Sequence, residues 1–464
     1  MDSDRDPTTL APEELRGYLE QADPKDIQAF CESGHTAALA EALSALEADQ
    51  AWEALKRVPP TPRAEIFCRL DESLQVDITE KLSRGDLARL LSDMPADDRV
   101  DLLRRLPEEE SERVLPAMAQ AEREDVRRLS SYAEGTAGSI MTSEYVTLRP
   151  ELTAEEAIAR LRREAPNKET IYHAYILGED RRLVGVISLK DLIVARASER
   201  VGDLMHREVI RARATDDQEA AARMLQRYDL LALPVVDERE AIVGIITHDD
   251  AIDVITQENT EDFEKLMAIT GAHETGHYLR TPSWVHFRNR VGWVVSLAVV
   301  GLLSGTIIQR YESSLERLLI LALFMPMLAD TGGNTGSQAA TVVVRALALG
   351  QVKARDIFRV LFKEAGVALM LCGILGLTSF GRVMLLSRAE QVPEEFTLWM
   401  VGLTIAVALS LQVVSATLLG ALLPMLAARL KLDPALVASP ALTTAVDITG
   451  LLIYFNTARV MLGL

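Results

Sequence analysis

Pro326 to Gly350 reads PMLADTGGNTGSQAATVVVRALALG. The stretch lies inside an apolar C-terminal region. Yet it carries Asp330, then Gly332, Gly333 and Gly336 around Asn334, then Gln338 and Thr341. Lipid cannot satisfy exposed backbone groups, so polar, glycine-rich backbone at membrane depth must face protein or water. Glycine also lets carbonyl oxygens approach a ligand closely. The stretch is therefore predicted to wall a hydrophilic path, with Asp447 in ALTTAVDITGLLIYF as its partner. A helix-packing face is the competing reading, because small residues are common where membrane helices touch. Packing accounts for the glycines but not for Asn334, Gln338 and Asp447 together.

Around this stretch the hydropathy pattern sets out five apolar segments, at about 285–308, 317–344, 357–386, 396–427 and 437–463. Each exceeds the roughly 20 residues that span a bilayer. The second-to-third connection holds Arg345, Lys353, Arg355, Arg359 and Lys363; the third-to-fourth holds Arg388 with Glu390, Glu394 and Glu395. The positive-inside rule then predicts five spans with the N-terminus in the cytoplasm and the C-terminus outside. Trp284, Trp293 and Trp399 fall near the predicted interfaces.

The rest of the chain is acidic. Of 464 residues with net charge -19, residues 281–464 hold 14 Lys+Arg and 10 Asp+Glu, leaving 35 and 58 for residues 1–280. The soluble part is thus at -23 and the membrane part at +4. Nucleic acid is excluded as a partner, since it needs the opposite charge. Divalent cations suit such a surface, because carboxylates are hard oxygen ligands; a merely solvated acidic face is the alternative. Cys31, Cys68 and Cys372 lie far apart, without metal-site spacing. All seven histidines precede residue 287, so none is expected in the membrane region. MDSDRDPTTLAPEEL lacks the basic and apolar regions of a signal peptide, which predicts a cytoplasmic soluble part. No nucleophile–base set or cofactor motif points to an enzyme.

Residues 1 to about 130 read as short helices. VPPTPRAEIFCRL, MPADDRVDLLRRL and LPEEESERVLPAM form a loose repeat, each opening with an apolar residue and proline. Such units stack into a superhelix. DMPADDRVD gathers Asp93, Asp97, Asp98 and Asp101, either complementing a helix dipole or binding cations. Residues 140–256 hold two matching units, each predicted as strand, helix, strand, turn, strand, helix. Gly185-Val-Ile-Ser188-Leu-Lys-Asp191 and Gly244-Ile-Ile-Thr247-His-Asp-Asp250 resemble the signature of a tandem CBS pair. That resemblance implies adenosine nucleotide binding at Ser188 and Asp191, the carboxylate accepting from the ribose hydroxyls. The same spacing also caps a helix. After Asp249, Asp250 and Asp253 comes a predicted linker helix, QENTEDFEKLMAITGAHETGHYLRT, with Glu258, Glu261, Asp262 and Glu264 in its first turns. His273 and His277 have metal-compatible spacing there, but read as solvated.

This order of segments, with PMLADTGGNTGSQ and DPALVASPALTTAVDITGLLIYF, resembles the MgtE magnesium channel family over essentially the whole chain. The predicted architecture is multi-domain. It comprises an acidic α-helical superhelical domain (1–135), an α/β tandem CBS domain (136–256), a linker or plug helix (257–282) and an all-α polytopic domain of five transmembrane helices (283–464). The resemblance implies a homodimer in the cytoplasmic membrane, with an Mg²⁺ pore on the two-fold axis lined by the second and fifth spans. It places Asp447 and Asn334 at the pore ion and Asp433 at the plug. Gly332, Gly333, Gln338, Thr341 and Thr444 are the expected lining.

The charge split predicts gating. Mg²⁺ would bridge Asp97, Asp98 or Asp101 to Asp249, Asp250 or Asp253, and Glu258 to Asp433, drawing repelling domains into a closed state. Whether ATP joins Mg²⁺ as a regulator stays open. So do a coupled secondary transporter of divalent cations, regulated by nucleotide at the CBS pair, and a nucleotide sensor that moves nothing.

Overall fold

The computed structural model describes residues 36–269, 281–387, 392–435 and 440–464. His273 and His277 lie outside the described residues. The chain forms two compact units that divide after Glu258.

Among the described residues the first unit begins with eight short helices: α1 Thr36–Ser44, α2 Ala48–Leu55, α3 Pro60–Cys68, α4 Glu72–Thr79, α5 Arg84–Asp93, α6 Ala96–Arg105, α7 Glu108–Val114 and α8 Gln120–Ser130. The repeat prolines stand at helix starts: Pro59, Pro95 and Pro107 occupy the N-cap positions of α3, α6 and α7. Proline fits there because its missing N–H would have no partner in the first turn. Leu39, Leu55, Phe67, Leu74, Leu91 and Leu102 are buried from successive helices in one core. That core continues into the following α/β region through Met141, Leu225, Ile246 and Val254.

Two sheets follow, built alike. Strands β1 Thr147–Leu148, β2 His173–Leu177 and β3 Leu183–Ser188 form the first; helices α9 Ala154–Glu164, α10 Leu189–Val194 and α11 Val201–Leu204 accompany it. Strands β4 Ala212–Arg213, β5 Ala232–Val236 and β6 Ile242–Thr247 form the second, with α12 Gln218–Arg227. In each, a parallel pair is followed by an antiparallel one: Thr147 faces Tyr175 and Gly185 faces Ile176, while Ala212 faces Val235 and Gly244 faces that same Val235. Each motif glycine is required by close approach. A Cβ at Gly185 would press on Met205 Sδ, and one at Gly244 on Met141 Sδ.

The linker does not start as a separate element. One helix, α13 His248–Leu266, runs straight from the second sheet through Glu258.

The second unit is helical: α14 Ser283–Arg310, α15 Glu312–Arg317, a 3-10 segment Leu319–Phe324, α16 Met325–Ala348, α17 Ile357–Leu386, α18 Leu398–Arg429 and α19 Pro440–Leu462. Among the described residues four stretches are long and apolar enough to cross a membrane: Ser283–Arg310, Ala354–Leu386, Leu398–Arg429 and Pro440–Leu462. Helix α16 has the length but not the apolarity, because its polar run dilutes it. His286 falls in the first turn of α14, which corrects the expectation that no histidine enters this region. Helices α16, α18 and α19 pack against one another, and α17 lies along α18.

Candidate cation sites

In the first unit, Asp97, Asp98 and Asp101 project from the start of α6, and Asp250 and Asp253 from the start of α13. Segments about 150 residues apart in sequence thus line one pocket of about 570 Å³, together with Cys68, Arg69 and Arg105. The turn before α6 is held by buried Arg99, which donates to Leu91 O (2.6 Å) and Met94 O (2.7 Å). Asp97 Oδ1 is buried with no hydrogen-bond partner. An unpartnered buried carboxylate oxygen is costly unless a proton or cation meets it.

The electrostatics agree. Burial, then the nearby Asp250 and Asp98, push the Asp97 carboxyl well up. Burial raises Asp98 against its hydrogen bond with Cys68. Asp101 is pushed up to about 6 by burial, against the opposing pull of Arg105 and Arg104. Burial, outweighing the hydrogen bond from Thr247, pushes Asp250 up to about 7. Glu169, from the loop before β2, is pushed up to about 7 by burial and by Asp250. Neither Glu169 nor Cys68 was anticipated from the sequence, since each stands alone in its own segment.

The predicted set is only partly gathered. Asp249 is exposed and does not line the pocket. Glu258 accepts from Gln218 Nε2 on α12 (2.8 Å). Asp433, in the second unit, pairs with Lys265 (2.9 Å), which also holds Glu261 (2.7 Å). Burial works against the Lys265 ammonium, but Glu261 and Asp433 outweigh it and raise its pKa. Among the described residues no three His, Cys, Asp or Glu side chains are close enough to hold one ion directly. Mg²⁺ dehydrates reluctantly and keeps several waters, so looser acids can act on its hydration shell.

The second unit carries a different arrangement. Asp330, Asn334, Gln338, Thr341 and Arg345 are all exposed and lie along one face of α16. The opposite face buries Gly332, Gly333, Gly336, Ala339, Ala340, Val343 and Val344. Thus the glycines serve packing and the polar residues do not. Gly332 and Gly333, expected to line the path, lie instead on this packed face. Asp447 and Thr444 are half-buried on α19, beside α16.

The proposed nucleotide residues form a helix cap. Ser188 Oγ donates to Asp191 Oδ2 (2.7 Å) and accepts from Asp191 N (3.0 Å). His206 Nε2 lies 3.6 Å from the same Oδ2. The Ser188 bond leads in holding the Asp191 carboxyl below its usual range. Thr247 and Asp250 repeat the cap in the second sheet, but there the aspartate turns into the acidic pocket.

Comparison with known proteins identifies the family of each segment. A family model described as a divalent cation transporter matches residues 325–457, and CBS domain models match 137–198 and 201–257. Residues 34–135 match the MgtE intracellular N domain. The magnesium transporter MgtE of Thermus thermophilus is 37% identical over 451 residues, covering 97% of this chain and 98% of that protein. The Bacillus subtilis magnesium transporter MgtE is 34% identical over 397 residues, 85% of this chain and 84% of its own. Among solved structures, the soluble part of a magnesium transporter superposes with TM-score 0.50 at 30% identity, covering 53% of this chain and 99% of that one. The cytosolic domain of the Mg²⁺ channel MgtE in complex with ATP aligns at TM-score 0.46 and 35% identity, over 52% of this chain and 94% of that one. The family match, the relatives and the apolar helices together define a multi-pass membrane transporter of divalent cations. Within that class, the chain belongs to the MgtE family.

Proposed function

We propose that the protein is an Mg²⁺ channel of the cytoplasmic membrane, closed by Mg²⁺ on its acidic cytosolic domains. One observation carries the reading: the exposed polar stripe from Asp330 to Arg345 on α16. Placed in a bilayer, such a face must meet water or protein, not lipid. Helix α16 is then the second of five spans, tolerated despite its polarity because only its small, apolar face touches its neighbours. A homodimer would bring two such stripes together and enclose a path, with Asn334, Gln338, Thr341, Thr444 and Asp447 along it. The N-terminus is cytoplasmic and the C-terminus outside. Two Asp447 carboxylates meeting near an axis would repel, and a divalent cation between them relieves that. The relatives named above transport magnesium, which supports this ion.

Gating follows from the acidic pocket. Mg²⁺ at Asp97, Asp98, Asp101, Asp250 and Asp253 would replace repulsion with attraction, with Asp249 at the rim. Glu258 and Asp433 would respond once freed from Gln218 and Lys265. The domain limits are those of the sequence reading, except that the plug helix grows out of α13. ATP at Asp191 would be a second regulator, using the carboxylate oxygen not engaged in the cap.

The test is flux through the purified full-length protein in liposomes, without proton or sodium gradients. Mg²⁺ flux that falls as cytosolic-side Mg²⁺ rises into the millimolar range is the expected result. Flux only when a gradient is imposed would instead favour a coupled carrier.

A further inference from the structure

Gln412 sits in the middle of α18, in the apolar run IAVALSLQVVSATLL, and is 1% exposed. Its Nε2 donates across helices to Leu328 O in the first turns of α16 (2.9 Å). Its Oε1 is buried with no partner. A Cβ placed on Gly332 of α16, or on Gly450 of α19, would overlap that same Nε2. The amide therefore fills a slot formed by two glycines on two different helices. Gly332 stands two residues before Asn334, and Gly450 three residues after Asp447. Two turns further along α18, and one turn along α16, the two helices meet backbone to backbone: a Cβ on Gly420 would overlap Gly336 O. Tyr454 of α19 makes a similar cross-helix bond to Leu321 O (2.8 Å), just before α16.

Packing alone does not call for an amide here. Leucine or methionine would fill the slot, and Leu328 O has its own place in the helix ladder. A buried amide with an unpaired acceptor is unfavourable and needs a reason. We infer that Gln412 is a positioning residue of transport: an amide wedge, seated between Gly332 and Gly450, that sets the spacing of the helices bearing Asn334 and Asp447. This rests on the reading that those two helices carry the ion path. The wedge touches no ion. It fixes how far apart the path's polar groups stand, and spacing is what separates Mg²⁺ from the larger Ca²⁺.

The experiment compares full-length Gln412→Met and the double variant Gln412→Ala/Gly450→Ala with wild type, in liposomes at matched abundance. Thermal unfolding is measured alongside Mg²⁺ and Ca²⁺ flux. Methionine keeps the volume and removes the amide; the double variant lets a methyl group enter the vacated slot. Both are expected to unfold near the wild-type temperature while the Mg²⁺-over-Ca²⁺ flux ratio falls about tenfold, equivalent to about 1.4 kcal/mol. Wild-type flux and ratio in either folded variant would overturn the positioning role. If neither variant accumulates as folded protein, Gln412 serves the fold alone and the inference also fails. Asp447→Asn, run in parallel, separates the two ideas. Should it keep the wild-type ratio, the path reading itself is wrong; should it alone lose the ratio, only the role of Gln412 is.

Discussion

The acidic pocket and the polar stripe are both places where a protein puts polar groups that its core cannot satisfy, and they are built in opposite ways. In the pocket, carboxylates come from α6 and α13, and burial pushes the pKa values of Asp101 and Asp250 up. In the stripe, mainly neutral side chains come from a single helix, with charges only at its ends, Asp330 and Arg345. The pocket stores repulsion that a cation can release, which suits a sensor. The stripe offers oxygens without a large electrostatic trap, which suits a path that ions must also leave.

The sharpest way to break this contrast is at Asp447, the carboxylate on α19, which packs against α16. Asp447→Asn should reduce the Mg²⁺ preference at least about tenfold, equivalent to about 1.4 kcal/mol, with the protein still folded. Unchanged flux ratios in liposomes would contradict the path. Next is Asp97, the pocket residue with a buried unpartnered oxygen. Asp97→Asn should stabilise the protein in chelator and weaken the protease protection expected on adding Mg²⁺, leaving flux running at high cytosolic Mg²⁺. Proteolysis with and without Mg²⁺ checks it, and full wild-type protection would count against the pocket as sensor.

A smaller effect lies in pH. In the folded state the Asp101 carboxyl is pushed up to about 6, and those of Asp250 and Glu169 up to about 7, above their ordinary values. Raised acids favour the folded state below the ordinary carboxylate range, near pH 4, and that contribution is lost as pH rises through 6 to 7. Mg²⁺ should offset the loss. The melting-temperature gain on adding Mg²⁺ is therefore expected to grow from pH 5 to pH 8; a gain independent of pH would place the bound ion elsewhere. The smallest effect is expected at Asp191. Asp191→Ala should weaken ATP binding in calorimetry and, through the lost cap, cost about 0.5–2 kcal/mol of stability. Absence of heat with wild type would leave the cap as the residue's whole role.

Periodicity and composition, which are local, carried much of the reading. The proline-led helices, the duplicated sheet units and the apolar segments could be read from residues close in sequence, and family membership followed from motifs such as PMLADTGGNTGSQ. The stripe could be read too, because a helix places residues three and four apart on one face. Which side of α16 the glycines occupy could not. Gly332 and Gly333 were expected along the path, yet the neighbours that claim them, Gln412 and Thr443, lie 80 and 110 residues away. The acidic pocket likewise depends on α6 meeting α13, so Asp250 joins it while Asp249, one residue earlier, stays outside. Local pattern determined the elements and the kinds of side chain on offer. Only tertiary packing decided which of them meet, because burial and unpaired hydrogen bonds arise from segments that the chain order keeps apart.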